Sequence, residues 1–485
     1  MMDDVLTVLP NASSLIESMR SIGYSFETAI ADIIDNSISG DAKQVDIFLN
    51  SSDGQPYIQI IDNGLGMNNE ELIEAMRLGS KNPTEERLKS DLGRFGLGLK
   101  SASFSQCRVL TVISKKDKQI NGYQWDLDLV QRTDKFSIRK LRKNEIEEIS
   151  NINILYQFSH GTIVQWQNFD RISSASQNLE DELDELMNNT IDHIGLIFHR
   201  FIEDNLSIRV NHEAIYPKDP FLRNHAGTQE LQRKKIKIEE EYIYLYPFVL
   251  PHYSKLTNED KRKSGKIKEQ YKAQGLYLYR NKRLIVWGNY LGLSRRSELG
   301  KNARIRVDIP NTLDYIWEID VKKSSATVPS IIKKNLLSVI SDGEIISKKV
   351  NTFKGKKEFR IDKPLWQYHS SREEEFYFSI NQENELYKQF VKLLDENQRK
   401  IFAVFLRSLE DNIPTQAIYS QISDGKKLQV TEDTELTILF HEQLKVMKSL
   451  SGININSWLK AVILEEPYAS NKAILKLVGE ELEHL

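Results

Sequence analysis

Apolar residues along this chain fall into blocks of helical spacing and blocks of strand-like runs, separated by polar turns. Ser25 stands before Thr28, Ile30, Ile33 and Ile34, a spacing that predicts a helix with Ser25 as its cap. Val45 to Leu49 and Tyr57 to Ile61 read as strands joined by the turn Ser51-Ser52-Asp53-Gly54. A short helix follows from Glu70 to Leu78. The stretch 79–92 is polar and leads into the glycine-dense 93–98, the pattern of a mobile lid. Further strands are expected at Arg108 to Ser114, Tyr123 to Leu129 and Thr162 to Gln167. Helices and strands are therefore grouped as α+β rather than strung as a regular βαβ repeat.

The acidic run Glu180 to Glu185 opens a long helix through Ile191, Ile194, Phe198 and Ile202. Strands are expected at Leu206 to Val210, Tyr242 to Val249, Leu276 to Tyr279, Leu284 to Trp287 and Ile305 to Ile309. Beyond Tyr387, Phe390, Leu393, Leu394, Ile401, Phe405 and Leu409 return to helical spacing. These shifts divide the chain into four parts: 1–170, 171–341, a linker at 342–385, and a helical part at 386–485. No internal repeat or sustained heptad seam is present.

The 485 residues suffice for several domains, each with its own core. The longest apolar runs, such as Ile194 to Phe198 and Ile401 to Leu406, are far shorter than the ~20 residues that span a bilayer. The acidic start Met-Met-Asp-Asp-Val lacks the basic and apolar regions of a secretory signal, so a cytoplasmic location is expected. Cys107 is the only cysteine, which excludes an intrachain disulfide and a paired-thiolate zinc site and suggests a buried small hydrophobe. The net charge of −3 is uninformative, but 255–306 holds 15 Lys or Arg against 4 Asp or Glu. Tyr271, Tyr277, Tyr279, Trp287 and Tyr290 lie within it. The mixture fits either a groove that tracks phosphates or core aromatics beneath a solvated basic surface. A second basic stretch, 348–363, has seven basic and two acidic residues and fits an interdomain linker equally well.

Three short motifs carry candidate chemistry. In Asp32-Ile33-Ile34-Asp35-Asn36-Ser37, Asp32 and Asn36 are four residues apart and share a helix face. The carboxylate can take a proton from water while the carboxamide oxygen ligates a hard cation such as Mg²⁺, although Asp and Asn also commonly solvate helix ends. In Asp62-Asn63-Gly64-Leu65-Gly66-Met67, a carboxylate that ends an isoleucine-rich strand can accept from an exocyclic amine. Its glycines would let backbone approach a flat ring, unless the segment is only a strand-ending turn. Gly93-Arg94-Phe95-Gly96-Leu97-Gly98-Leu99-Lys100-Ser101 suits a phosphate cradle of backbone N–H groups, without a Rossmann context or Walker spacing.

Together the three motifs, with His160-Gly161-Thr162 after them, resemble the Bergerat ATP-binding fold of the GHKL superfamily. That superfamily includes gyrase subunits, MutL proteins, the ninety-kilodalton heat-shock chaperones, histidine kinases and MORC ATPases. The wording is closest to MORC-like and MutL-like members. The resemblance implies that ATP binds with Mg²⁺ on Asn36, that Asp62 reads the adenine amine, and that Gly64, Gly66 and Met67 line the base. It further implies that Gly93, Gly96, Gly98, Lys100 and Ser101 close over the phosphates and that Thr162 supports Asp62. The family usually has glutamate where Asp32 stands, acting as general base. Aspartate is shorter by about 1.5 Å, and a misplacement of that order can cost ~100-fold in rate.

The resemblance continues through 193–201, Ile208 to Asn211, Pro217 to Phe221 and Tyr279 to Leu284, which look like a transducer domain. It implies a lysine that reaches the γ-phosphate from that domain, and Lys322 and Lys323 are the candidates. The expected architecture is a Bergerat α/β sandwich, an S5-like transducer domain and a C-terminal helical domain. The implied function is an ATP-gated, dimerising clamp on double-stranded DNA, with anti-phage defence or restriction and a separate effector protein as its setting. The alternatives are a chaperone-like ATPase acting on proteins and a non-hydrolysing ATP sensor that recruits a partner.

Overall fold

The computed structural model describes residues 10–21, 23–51, 54–79, 98–175, 178–264, 267–317, 326–352, 364–370, 376–415, 417–418, 433–449, 454–465 and 467–483. Gly93, Gly96, Lys322, Lys323 and most of the expected lid lie outside these residues. The chain divides into two compact units, Met1–Phe353 and Lys354–Leu485.

In chain order the first unit contains helices α1 (Ala12–Arg20) and α2 (Phe26–Ser39), strands β1 (Gln44–Asn50) and β2 (Tyr57–Asp62), and helices α3 (Asn69–Met76) and α4 (Gly98–Gln106). Next come β3 (Val109–Lys116), β4 (Gln119–Asp126), α5 (Leu127–Thr133), β5 (Arg139–Lys140), α6 (Lys143–Glu147), α7 (Ile152–Gln157) and β6 (Gly161–Gln167). Helices α8 (Asp170–Ala175), α9 (Leu179–Ile197) and α10 (His199–Glu203) lead to β7 (Ser207–Val210) and β8 (Glu213–Ala214). These strands form one sheet in the order β5-β4-β3-β6-β2-β1-β7-β8, antiparallel except for the parallel β1–β7 pair.

Strand alternation gives the sheet two apolar faces. Ile58 and Ile60, Leu110 and Val112, and Val164 and Trp166 join the core that holds α2, α4 and α9, whereas Ile61, Ile113 and Ile163 pack with α6 and α7 residues on the other face. Helix α2 is buried on most of its surface, with Ile30, Ile33 and Ile34 at 0–1 % exposure. Burying each such side chain stabilises the fold by roughly 1.5–3 kcal/mol.

The second part of this unit adds β9 (Gln229–Glu230), β10 (Lys234–Ile238), β11 (Glu241–Val249), α11 (Asn258–Ser264), α12 (Ile267–Lys272), β12 (Gly275–Arg280), β13 (Arg283–Asn289), β14 (Ala303–Ile309), α13 (Asp314–Trp317) and α14 (Ser330–Thr352). Its sheet runs β10-β11-β14-β12-β13, with β9 on β11. One face, with Leu276, Leu278, Ile305 and Val307, packs on Ile332, Leu336, Val339 and Ile340 of α14. The other face, with Phe248, Tyr277, Tyr279 and Leu284, joins the apolar core around α2 and α9. The two sheets are thus built onto opposite sides of shared helices.

Local chemistry moves several expected boundaries. The strand expected to reach Leu129 ends at Asp126, whose side chain accepts from the N–H groups of Asp128 and Leu129 and starts α5. The helix expected through Ile202 is broken at Phe198. Ser25 occupies the cap position of α2, but its hydroxyl meets Thr28 Oγ1 at 3.0 Å instead of a helix N–H. Position 341 lies inside α14: Ile332, Leu336, Val339 and Ile340 before it pack on the sheet, and Ser347 and Asn351 beyond it hydrogen-bond to Leu299 and Asn302 beside β14.

In the second unit, the span expected as a linker contains an antiparallel pair, Trp366–Ser370 with Phe376–Ile380. Alternating aromatics produce it: Tyr368 faces Phe378, and His369 stacks on Tyr377 at 4.6 Å. Helices follow at Glu385–Lys392, Glu396–Asp411, Asp433–Ser449, Ile455–Val462 and Lys472–Glu483. Leu436, Phe440, Trp458, Leu459, Ile474 and Val478 form the core of this unit. No helix among the described residues is long and apolar enough to cross a membrane.

Candidate functional site

Strand β2 ends in Asp62, on the same face as Ile58 and Ile60 and therefore toward α2. Register places Thr162 of β6 opposite Asp62, and Ser114 of β3 opposite Thr162. Three neighbouring strands thus bring a carboxylate and two hydroxyls into one row. Ser37 of α2 donates to Asp62 Oδ2 at 2.9 Å, and the Gly64 N–H donates to Oδ1 at 2.9 Å. The Ser114 and Thr162 hydroxyls are 3.0 Å apart, and Ser114 Oγ accepts from the Met67 N–H at 2.8 Å. Burial raises the Asp62 pKa to about 6, against the opposing hydrogen bonds from Gly64, Ser37 and Thr162 and the nearby His160. This is a carboxyl poised between its two forms, with its oxygens tied to backbone and hydroxyl groups.

The turn after Asp62 needs its glycines. Gly66 has φ +63°, and a Cβ there would lie 2.0 Å from the Lys115 carbonyl oxygen. A Cβ on Gly64 would lie 2.7 Å from the Gly40 oxygen, which accepts from the Leu65 N–H at 2.8 Å. His160 Nδ1 bonds the Gly64 carbonyl, so the His160-Gly161-Thr162 segment clasps the same turn.

Asp32 is 5 % exposed and accepts from the Tyr24 hydroxyl at 3.0 Å. The start of α4 sits beside it: a Cβ on Gly98 would be 3.6 Å from Asp32 Oδ2. Asn36, one turn further along α2, is exposed. Its carboxamide oxygen is a hard donor of the kind Mg²⁺ takes together with phosphate oxygens and water, so Asn36 fits the implied cation. Lys100 is buried and donates from Nζ to the Ala75 carbonyl at 2.9 Å, toward the last turn of α3. Burial lowers its pKa to about 8, opposed by Glu74. Ser101 is fully buried on the same helix.

The structure therefore brings together Asp32, Asn36, Asp62, Gly64, Gly66, Met67, Gly98 and Thr162 around α2 and the end of β2. The sequence alone does not single out Ser37, Ser114, His160 or Tyr24 as site residues. Ser37 and His160 stand inside motifs already singled out. Ser114 and Tyr24 become visible only through strand register and helix packing.

The basic stretch 255–306 resolves toward its core reading. Tyr277, Tyr279 and Tyr290 are buried, so they do not line a phosphate-tracking groove. Arg280 pairs with Asp314, Arg283 with Asp35, Arg306 with Asp308 and Lys282 with Asp204. Lys255, Lys272, Arg295 and Arg296 remain exposed.

Parts of the chain are similar to known proteins. Residues 24–162 match the family described as histidine kinase-, DNA gyrase B- and HSP90-like ATPase. The ATPase morc-1 of Caenorhabditis elegans is 33% identical over 90 residues, 19% of this chain and 10% of that protein. The chaperone protein HtpG of Rickettsia canadensis is 30% identical over 132 residues, 25% of this chain and 19% of that protein. The ATPase MORC2B of Mus musculus is 29% identical over 96 residues, 19% of this chain and 9% of that protein. The matches thus span about a tenth to a fifth of the relatives' lengths. Residues 24–162 are thus similar to the ATPase domains of histidine kinases, DNA gyrase B and HSP90, and stretches of the chain are similar to the MORC ATPases.

Proposed function

We propose that the chain binds and hydrolyses ATP with Mg²⁺ and uses the nucleotide to gate a dimerising clamp. The observation that carries the nucleotide part is the Asp62 cluster, a carboxylate held by the Ser37 hydroxyl and the backbone of Gly64 and Thr162 at a glycine turn, with the Ser114–Thr162 hydroxyl pair on the neighbouring strands. In this reading Asp62 accepts the adenine amine, and Gly64, Gly66 and Met67 flank the base. Asn36 holds Mg²⁺, which when bound neutralises phosphate charge. Gly93, Gly96, Gly98, Lys100 and Ser101 belong to the phosphate segment, and Lys322 or Lys323 reaches the γ-phosphate from the S5-like transducer domain. Asp32 takes the proton of the attacking water, with Tyr24 holding its carboxylate. Its short side chain makes turnover slow.

Double-stranded DNA is the proposed client, contacted through exposed lysines and arginines rather than through stacked aromatics. Anti-phage defence with a separate effector is the proposed setting in the cytoplasm. The second reading is a non-hydrolysing ATP sensor, favoured by the shorter aspartate at position 32, where glutamate is usual.

ATP hydrolysis by purified protein, with and without double-stranded DNA, tests these readings beside Asp32→Asn and Asn36→Ala variants. DNA-stimulated turnover lost in both variants supports the clamp. Tight ATP binding without hydrolysis under any of these conditions supports the sensor. Turnover that DNA leaves unchanged at every salt concentration removes DNA as client and favours the chaperone-like alternative.

A further inference from the structure

Helix α2 carries both Asp32 and Asn36, so whatever fixes its rotation fixes both groups. Between them lies Asp35, 1 % exposed, and its carboxylate meets a residue of the second sheet: Arg283 Nε lies 3.1 Å from Asp35 Oδ1. Arg283 is itself 4 % exposed. It opens β13 directly after the turn residues Asn281 and Lys282, both with positive φ (47° and 70°), which fold the β12–β13 hairpin back so that Arg283 faces α2. The guanidinium carbon stands 4.9 Å from the Phe198 ring centroid at the end of α9, and Arg283 also donates to the Leu284 carbonyl. Three elements, α2, α9 and β13, therefore meet at one cation.

We infer that Arg283 is a positioning residue for the nucleotide site, holding α2 in the rotation that aims Asp32 and Asn36. The inference rests on the proposed ATPase function. The guanidinium opposite helps to set the direction of this buried carboxylate, one residue before the cation-binding candidate. Rotation of the second sheet against the first would carry Arg283 with it and turn α2. The hairpin thus links nucleotide chemistry to the position of the second sheet.

The same hairpin supplies a matched control. Arg280 of β12 pairs with Asp314 of α13 at 2.8 Å and is equally buried. Steady-state ATP hydrolysis is measured for wild type, Arg283→Met, Arg283→Lys and Arg280→Met, with Mg²⁺ titrations and thermal unfolding for each. Both Met variants are expected to lose stability. Arg283→Met alone should lower kcat by about tenfold to a hundredfold and raise the Mg²⁺ concentration for half-maximal rate, and Arg283→Lys should recover most of the loss. Equal kcat in Arg283→Met and Arg280→Met overturns the inference while leaving the ATPase reading intact. A wild type that neither binds nor hydrolyses ATP overturns the functional reading and this inference with it.

Discussion

The Ser37 hydroxyl donates to Asp62 Oδ2 at 2.9 Å, joining the last turn of α2 to the end of β2. Asp62→Asn keeps the shape of this junction, because a serine hydroxyl can accept as well as donate. It replaces one carboxylate acceptor with a donor, however. ATP affinity should fall by roughly tenfold to a hundredfold with the fold retained, since a hydrogen bond to a charged group is worth about 1.5–3 kcal/mol. Calorimetric titration with ATP, alongside circular dichroism of the variant, checks both halves. Unchanged affinity would remove Asp62 from the proposed base-binding role.

The raised pKa of Asp62 also has a stability signature. The folded carboxyl titrates at about 6 against 3.8 for an ordinary aspartate, so between these values the native state binds more protons than the unfolded chain. Its contribution to stability therefore falls as pH rises from about 4 to 6 and is constant above, an effect on the order of 3 kcal/mol. Denaturant unfolding of wild type and Asp62→Asn from pH 4 to 8 should show the variant gaining on wild type across that window. A pH-independent difference would contradict it.

Lys100 has the opposite linkage. Its pKa is lowered from 10.5 to about 8, so the unfolded chain binds more protons between those values and stability rises with pH through them. Below about pH 8 the folded state carries the full cost of a buried ammonium, on the order of 3 kcal/mol. Replacing Lys100 with Met should abolish the rise between pH 8 and 10.5 in the same unfolding measurement. If ATP draws the Lys100 ammonium into a phosphate contact, binding at pH 8.5 should take up protons, visible as a dependence of the calorimetric enthalpy on buffer.

Two glycines with nearly the same backbone should respond differently to alanine. Gly66 (φ +63°) faces the Lys115 carbonyl oxygen at 2.0 Å from an added Cβ, whereas Gly54 (φ +69°) has nothing within 4 Å. Gly54→Ala should cost only the left-handed backbone penalty of about 1–2 kcal/mol. Gly66→Ala adds a backbone clash and should cost roughly 1–3 kcal/mol more, with weakened ATP binding because the turn beside Asp62 must shift. Thermal unfolding of the pair separates the two costs.

The sequence alone determined the local chemistry of this protein. Helical spacing in α2, the isoleucine run of β2 and the glycines after Asp62 were legible because each is set by residues a few positions apart. So was the ordered set of motifs that marks residues 24–162. Segment ends were less legible: the Asp126 side chain stops β4 by capping α5, and alternating aromatics form a hairpin where a linker was expected. Only the tertiary structure decided which distant groups meet. Ser114 reaches the site through the register of β3 on β6, and Tyr24 through the packing of its loop on α2. Arg283 pairs with Asp35 across 248 positions because two sheets share one helical layer. Excess positive charge was visible in 255–306, but its direction was not: burial and pairing of Arg280, Arg283 and Arg306 depend on partners that no local spacing names.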